Sequence, residues 1–209
     1  MQLNSIKEII AAITKNLEAY REDLDGLDRD IGDGDHGSNL VRGFEAVLED
    51  SKNWDSLNLS AVMKKIGMTL LAKVGGASGV LYASACLKIA PSVNKEDLQI
   101  SDFLNAINIA MLEISSKGKS AVGNKTMLDA MNGFSEAFAL KMQNSQNFIE
   151  ILQAGVQGAE SGALATKDMV AKSGRASYLG ERSVGHTDAG ATSFYIIVKS
   201  ILQYLKEQQ

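Results

Sequence analysis

Proline occurs once in 209 residues, at Pro91, while alanine, leucine and isoleucine are frequent. A proline inside a helix removes a hydrogen bond and clashes with the preceding turn, so a chain that nearly lacks it is free to stay helical over most of its length. The apolar pattern points the same way. Ile6, Ile9, Ile10, Ile13 and Leu17 recur at helical spacing, and no segment alternates apolar and polar residues for long enough to specify a strand. Successive stripes predict eight helices: from about Ser5 to Arg21 with a Ser5–Glu8 capping box, from Ser38, from Ser60, from Gly79 to Pro91, from Ser101, from Thr126, from Asn147 to Thr166, and from Gly190 to Glu207. Gly155, Gly158, Ala159 and Gly162 would let a neighbouring backbone come close to the seventh. With mostly short links, the expected fold is all-α, an antiparallel eight-helix bundle or barrel forming a single helical domain over 1–209. The long irregular piece from Lys167 to Ala189 is the exception, and connections of that length are usually functional or disordered.

Charge and cysteine usage exclude several classes. A formal net charge of −4 with no basic run offers no footprint for nucleic acid. The single Cys86 cannot form an internal disulfide and reads as core packing. No apolar run approaches the roughly 18 residues that span a bilayer, and the N-terminus enters a helix directly rather than reading as a signal peptide. A cytoplasmic protein with no membrane partner is expected.

The chemistry concentrates between Leu27 and Gly37. Asp28, Asp30, Asp33 and Asp35 fall within eight residues, interleaved with Gly32, Gly34 and Gly37. Such a run is either a solvated acidic loop or a site for a hard cation, because like charges this close repel unless something neutralises them. An EF-hand is excluded, since the twelfth position counted from Asp33 is Phe44, where a glutamate should stand. Mg²⁺ with phosphate remains the fitting metal reading. Gly75-Gly76-Ala77-Ser78-Gly79 precedes a helix, and a glycine turn at a helix start presents amides and a positive dipole end to anions, although such turns also join helices for steric reasons. Gly118 to Thr126 imitates a Walker A loop but has Asn124 where its lysine belongs and follows a helix rather than a strand, so it is rejected as one. In the long irregular segment Arg175 and Arg182 could grip phosphate, and Gly190 opens the last helix. His36 reads equally as phosphate contact or capping residue, His186 as loop structure, and Trp54 as a surface anchor.

Taken together, Asp28-x₄-Asp33-Gly34-Asp35-His36-Gly37, Gly75-Gly76-Ala77-Ser78-Gly79, Lys125-Thr126-Met127-x-Asp129, Gly174-Arg175-Ala176-Ser177-Tyr178 and Gly185-His186-x-Asp188-x-Gly190-Ala191 resemble the nucleotide-binding L subunits of bacterial dihydroxyacetone kinases. The motifs stand in that family's order and span nearly the whole chain. The resemblance implies a helical barrel with the nucleotide at one end, and ADP (ATP when phosphorylated) with two Mg²⁺ ions as cofactors. It implies metal ligation by Asp28, Asp33 and Asp35, with Asp30 an outer carboxylate. Nucleotide contacts would come from His36, Gly37, Ser38, Asn39, Ala77, Ser78, Gly118, Met127, Arg175, Asp188, Ala189 and Gly190, with Arg175 also the candidate catalytic residue. Position 189 is often proline in relatives and is alanine here. A stand-alone chain of this kind resembles the phosphotransferase-system type, in which a phosphocarrier M subunit rephosphorylates bound ADP in place. The phosphoryl group then passes to dihydroxyacetone held on a K subunit. Other implied roles are a kinase using exchangeable ATP on another small keto-sugar, a fatty-acid kinase module, and an ADP-dependent regulator of a transcription factor. The oligomeric state, a homodimer among the options, is left open.

Overall fold

A computed structural model of the chain describes residues 3–55 and 57–209; Met1 and Gln2, which the sequence ran straight into the first helix, lie outside it. Among the described residues there are nine α-helices and no strand: α1 (Leu3–Ala19), α2 (Arg21–Ile31), α3 (His36–Ser51), α4 (Leu59–Lys73), α5 (Gly76–Ile89), α6 (Ile100–Gly118), α7 (Met127–Met142), α8 (Phe148–Ala165) and α9 (Ala189–Glu207). The eight predicted helices are all present. The ninth, α2, takes up what the sequence reading assigned to a loop. Its first turn carries Glu22 and Asp23, which favour the positive end of a helix, but it buries only Leu24 and Ile31. Asp28 and Asp30 therefore stand on a helix.

Packing runs around a ring: α1 against α3, then α4, α5, α6, α7, α8 and α9 in turn, with α9 back against α1. The closing pair is antiparallel, because the Tyr204 hydroxyl donates to Glu8 while Asn16 Nδ2 reaches Ser200 Oγ and Gln203 Oε1, each at 2.9 Å. Glu8 is thus used across the seam, and α1 starts before Ser5, so the expected capping box there does not form. Two groups of buried side chains fill the ring, one around Phe134, Phe138 and Leu152 and one around Leu17, Leu40 and Trp54, and Tyr82, Tyr195, Ile201 and Leu205 pack against both. Trp54 is a correction: it is fully buried, with its indole nitrogen donating to Asp50 at 3.1 Å, rather than anchored at the surface.

The tightest pair is α7 with α8. A Cβ on Gly133 would stand 2.3 Å from the Gly158 carbonyl oxygen, and one on Gly158 would stand 2.1 Å from that of Gly133. Backbone contact of this kind is open only to glycine. Alternation around the ring has a further result. α3, α5, α7 and α9 all begin at the same end, where they meet one cavity. No helix is long and apolar enough to cross a membrane among the described residues.

Candidate functional site

That cavity encloses about 210 Å³. Its wall includes His36 from the start of α3, Gly76 to Ser78 from α5, Met127 from α7, and Ala189 and Gly190 from α9. The first amides of a helix have no intrahelical acceptor and carry a partial positive charge. Four such ends converging on one space make it an anion site in a way no single glycine turn would. Position 189 is the first residue of α9, where proline is favoured because its missing N–H is unneeded and its φ is preset. Alanine fits there equally well.

Facing these positive ends is the opposite charge. Oxygens of Asp28, Asp33 and Asp35 lie within 4.8 Å of one another. Asp28 comes from the last turn of α2, Asp33 from the link, and Asp35 from the position just before α3, where it makes no capping bond with its side chain. Gly34 adopts φ +77°, which turns the chain so that the Gly34 and Asp35 amides donate to Asp28 Oδ2 at 2.8 and 3.0 Å. Burial pushes the Asp28 carboxyl above its ordinary range, with the Asp33 charge adding to the shift and the two amides opposing it. Three converging carboxylates, one of them reluctant to ionise, offer the hard oxygen ligands that suit a divalent cation. The Arg175 guanidinium supplies a countercharge by pairing with Asp33.

Arg175 arrives on the segment between α8 and α9, which was expected to be irregular. It holds two stretches of 3₁₀ helix, Thr166–Asp168 and Arg175–Ser183. It is pinned at several points. Ala171, Ala176 and Leu179 pack on Ile31 at the end of α2, the Ala171 amide donates to Ser183 Oγ at 2.8 Å, and His186 Nδ1 lies 3.2 Å from Asp30 Oδ2. Asp30 and His186, read from the sequence as an outer carboxylate and a loop residue, thus serve each other.

Most of the expected nucleotide contacts come together. His36, Asn39, Ala77, Ser78, Gly118, Met127, Arg175, Asp188, Ala189 and Gly190 all line the cavity. Gly37 and Ser38 do not. A Cβ on Gly37 would meet the Arg21 carbonyl oxygen at 2.3 Å, so that glycine serves the α2–α3 crossing. Ser38 points away, its amide donating to Asp25 at 2.9 Å and its hydroxyl to the same carboxylate at 2.5 Å. His36 is buried and both its ring nitrogens are engaged, Nδ1 with Ser78 Oγ and Nε2 with Ser193 Oγ, each at 2.9 Å. Loss of hydration holds its pKa down to about 4, so the ring is neutral at physiological pH. Asp188 caps α9 by accepting from the Ala191 amide at 2.7 Å, and burial pushes its carboxyl up to about 7.

Two supports were given no role from the sequence, Lys125 appearing there only within a motif and Arg42 not at all. Lys125 is 1% exposed, at φ +61°, and its ammonium donates to the carbonyls of Thr166 (2.5 Å) and His186. It ties the α6–α7 link to both ends of the arginine segment. Arg42 donates from Nε to the Lys73 carbonyl at 3.0 Å and from Nη2 to Asn39 Oδ1 at 2.5 Å. It thereby holds the start of the glycine turn and fixes which face of the Asn39 amide looks into the cavity. Neither contact leaves a trace in local pattern, although Lys125 directly precedes the cap of α7.

Comparison with known proteins places this geometry. Residues 30–203 match the DAK2 domain. The chain belongs to the DAK2-domain family. Among curated relatives, the ADP-binding subunit DhaL of PEP-dependent dihydroxyacetone kinase 2 from Listeria innocua is 39% identical over 91% of this chain and 89% of its own length. The corresponding Escherichia coli subunit is 37% identical over 89% of each. The family also includes larger proteins. The triokinase/FMN cyclase of Mus musculus is 32% identical over 96% of this chain, which spans 35% of that protein. The crystal structure of the dihydroxyacetone kinase from C. freundii in complex with AMP-PNP and Mg²⁺ superposes with a TM-score of 0.74 at 23% identity, covering 97% of this chain and 33% of that one. That likeness establishes a shared helical fold.

Proposed function

We propose that this chain is the ADP-binding subunit of a PEP-dependent dihydroxyacetone kinase, a phosphotransferase. The observation that carries the reading is the pairing of three carboxylates with four helix N-termini across one cavity. A metal diphosphate has the matching two-sided chemistry. Asp28, Asp33 and Asp35 would hold two Mg²⁺ ions, whose contribution is to neutralise phosphate charge during transfer. The amides at Ala77 and Ser78 and the Asn39 side chain would orient the phosphates. Gly118, Met127 and Ala189 to Gly190 would bound the nucleoside. Arg175 would release Asp33 and turn its guanidinium to the transferring phosphoryl group, supplying fixed positive charge where negative charge shifts. The acceptor would be delivered by a K subunit and the phosphoryl donor by a phosphocarrier M subunit.

The deciding measurement is on the purified chain, desalted in Mg²⁺ buffer and then denatured, with released nucleotide identified by chromatography. Near-stoichiometric ADP is expected. Asp33→Asn should abolish retention with an unchanged helical circular dichroism spectrum, and retention equal to wild type would remove the carboxylates from the site. An empty chain that binds ATP reversibly would favour the second reading, a kinase with exchangeable ATP. The D-erythrulose kinase of Mycolicibacterium smegmatis, 32% identical over 91% of this chain, keeps that reading in view.

A further inference from the structure

Ser193 on α9 is fully buried, Tyr82 on α5 is partly buried against both halves of the core, and neither lines the cavity. Ser193 Oγ nevertheless lies 2.9 Å from each of three groups: the Gly190 carbonyl oxygen, His36 Nε2 and the Tyr82 hydroxyl. A serine hydroxyl has one proton to give and two lone pairs to receive. The carbonyl accepts only, so the Ser193 proton goes to Gly190. The other two partners must then donate. Burial holds the Tyr82 phenol well above its usual pKa, so it keeps its proton. His36 must bear a proton on Nε2. With that nitrogen fixed as donor to Ser193, the ring has one orientation, and it sets Nδ1 2.9 Å from Ser78 Oγ on the cavity wall.

We propose that Ser193 and Tyr82 are positioning residues that act from behind the wall, holding the His36 imidazole and through it the Ser78 hydroxyl where a phosphate is received. The proposal rests on the cavity being the nucleotide site. The hub joins the N-terminal parts of α3, α5 and α9, so it also sets the spacing of three of the four positive ends that meet there. A hydroxyl present only to satisfy its own helix would need one partner. Ser200 on the same helix is equally buried and makes one bond fewer than Ser193, donating to the Ile196 carbonyl at 2.7 Å and accepting from Asn16 at 2.9 Å, and it lies on the α1–α9 seam away from the cavity.

The chain has two histidines, so a long-range ¹H–¹⁵N spectrum of the full-length, ligand-free protein resolves both rings, with His186→Gln assigning them. The expected result is a His36 ring protonated at Nε2, its proton protected from solvent exchange. Tyr82→Phe and Ser193→Ala should shift that signal and weaken Mg²⁺–ADP binding at least fivefold by calorimetry. Ser200→Ala should change neither, even where its melting temperature falls as far as that of Ser193→Ala. A wild-type His36 bare at Nε2 overturns the proposal. So does a Ser193→Ala chain that binds Mg²⁺–ADP within twofold of wild type. Should the wild-type chain bind no Mg²⁺–ADP, the nucleotide reading itself fails, and the ring spectrum alone decides whether the hub exists.

Discussion

Asp188 serves two needs that favour opposite charge states. As cap of α9 it accepts from the Ala191 amide, which favours the carboxylate, yet burial beside Asp129 pushes its pKa up to about 7. The folded pKa lies above the unfolded one, so the folded chain holds a proton that the unfolded chain releases. Stability contributed by this group is therefore present below about pH 4 and is lost as pH rises toward 7. Without nucleotide and with EDTA, the wild-type urea midpoint should fall between pH 5 and pH 8. Asp188→Asn, which still caps, should remove on the order of 2 kcal/mol of that fall. Equal slopes in the two chains would mean that Asp188 is ionised throughout. Arg42 sets a second test at this scale. Arg42→Lys can replace one of its two bonds but not the fork, so Mg²⁺–ADP affinity should drop about fivefold, roughly 1 kcal/mol, while the helical content stays constant.

Glycine has opposite values in different helices. Gly158→Ala gains helix propensity but drives a methyl into the Gly133 carbonyl, so a net loss of about 2 kcal/mol is expected in chemical unfolding. Gly26→Ala in α2 meets nothing within 4 Å and should stabilise by up to about 1 kcal/mol. These helices also show what a sequence can disclose. The eight other than α2 carry apolar stripes that are buried or half-buried, as α6 does with Phe103, Leu104, Ile107 and Met111 beside Ala110 and Ile114. α2 buries only Leu24 and Ile31 and is otherwise acidic, so charge masked its helical spacing of Leu24, Leu27 and Ile31. The three converging aspartates were readable because one local turn gathers them. Ser193, Tyr82 and Arg42 were not, because each has at least one partner brought from another helix by the tertiary fold. Gly37 and Ser38 stand apart from the cavity for a related reason: neighbours on a helix point in different directions, and of these four successive residues His36 and Asn39 line it.

At the scale of the whole molecule, the cavity draws on α2, α3, α5, α7, α9 and the arginine segment, so a ligand there should brace the entire ring. Mg²⁺–ADP at a hundredfold excess over its Kd should add about 2.7 kcal/mol of stability, seen as a rise in melting temperature of roughly 5–10 °C. The same ADP with EDTA should give no rise, and an equal rise without the metal would argue against the carboxylate site. The antiparallel seam between α1 and α9 has another outcome. The bond between Tyr204 and Glu8 brings the beginning of α1 beside the end of α9, at the pole opposite the cavity. α9 has 19 residues, which at 1.5 Å each sets that pole about 28 Å from the helix start at the site. A label, surface tether or fused module placed beside Glu8 or Tyr204 therefore leaves the mouth of the cavity clear, and a short cross-link from the beginning of α1 to the end of α9 would lock the ring without touching the opposite pole.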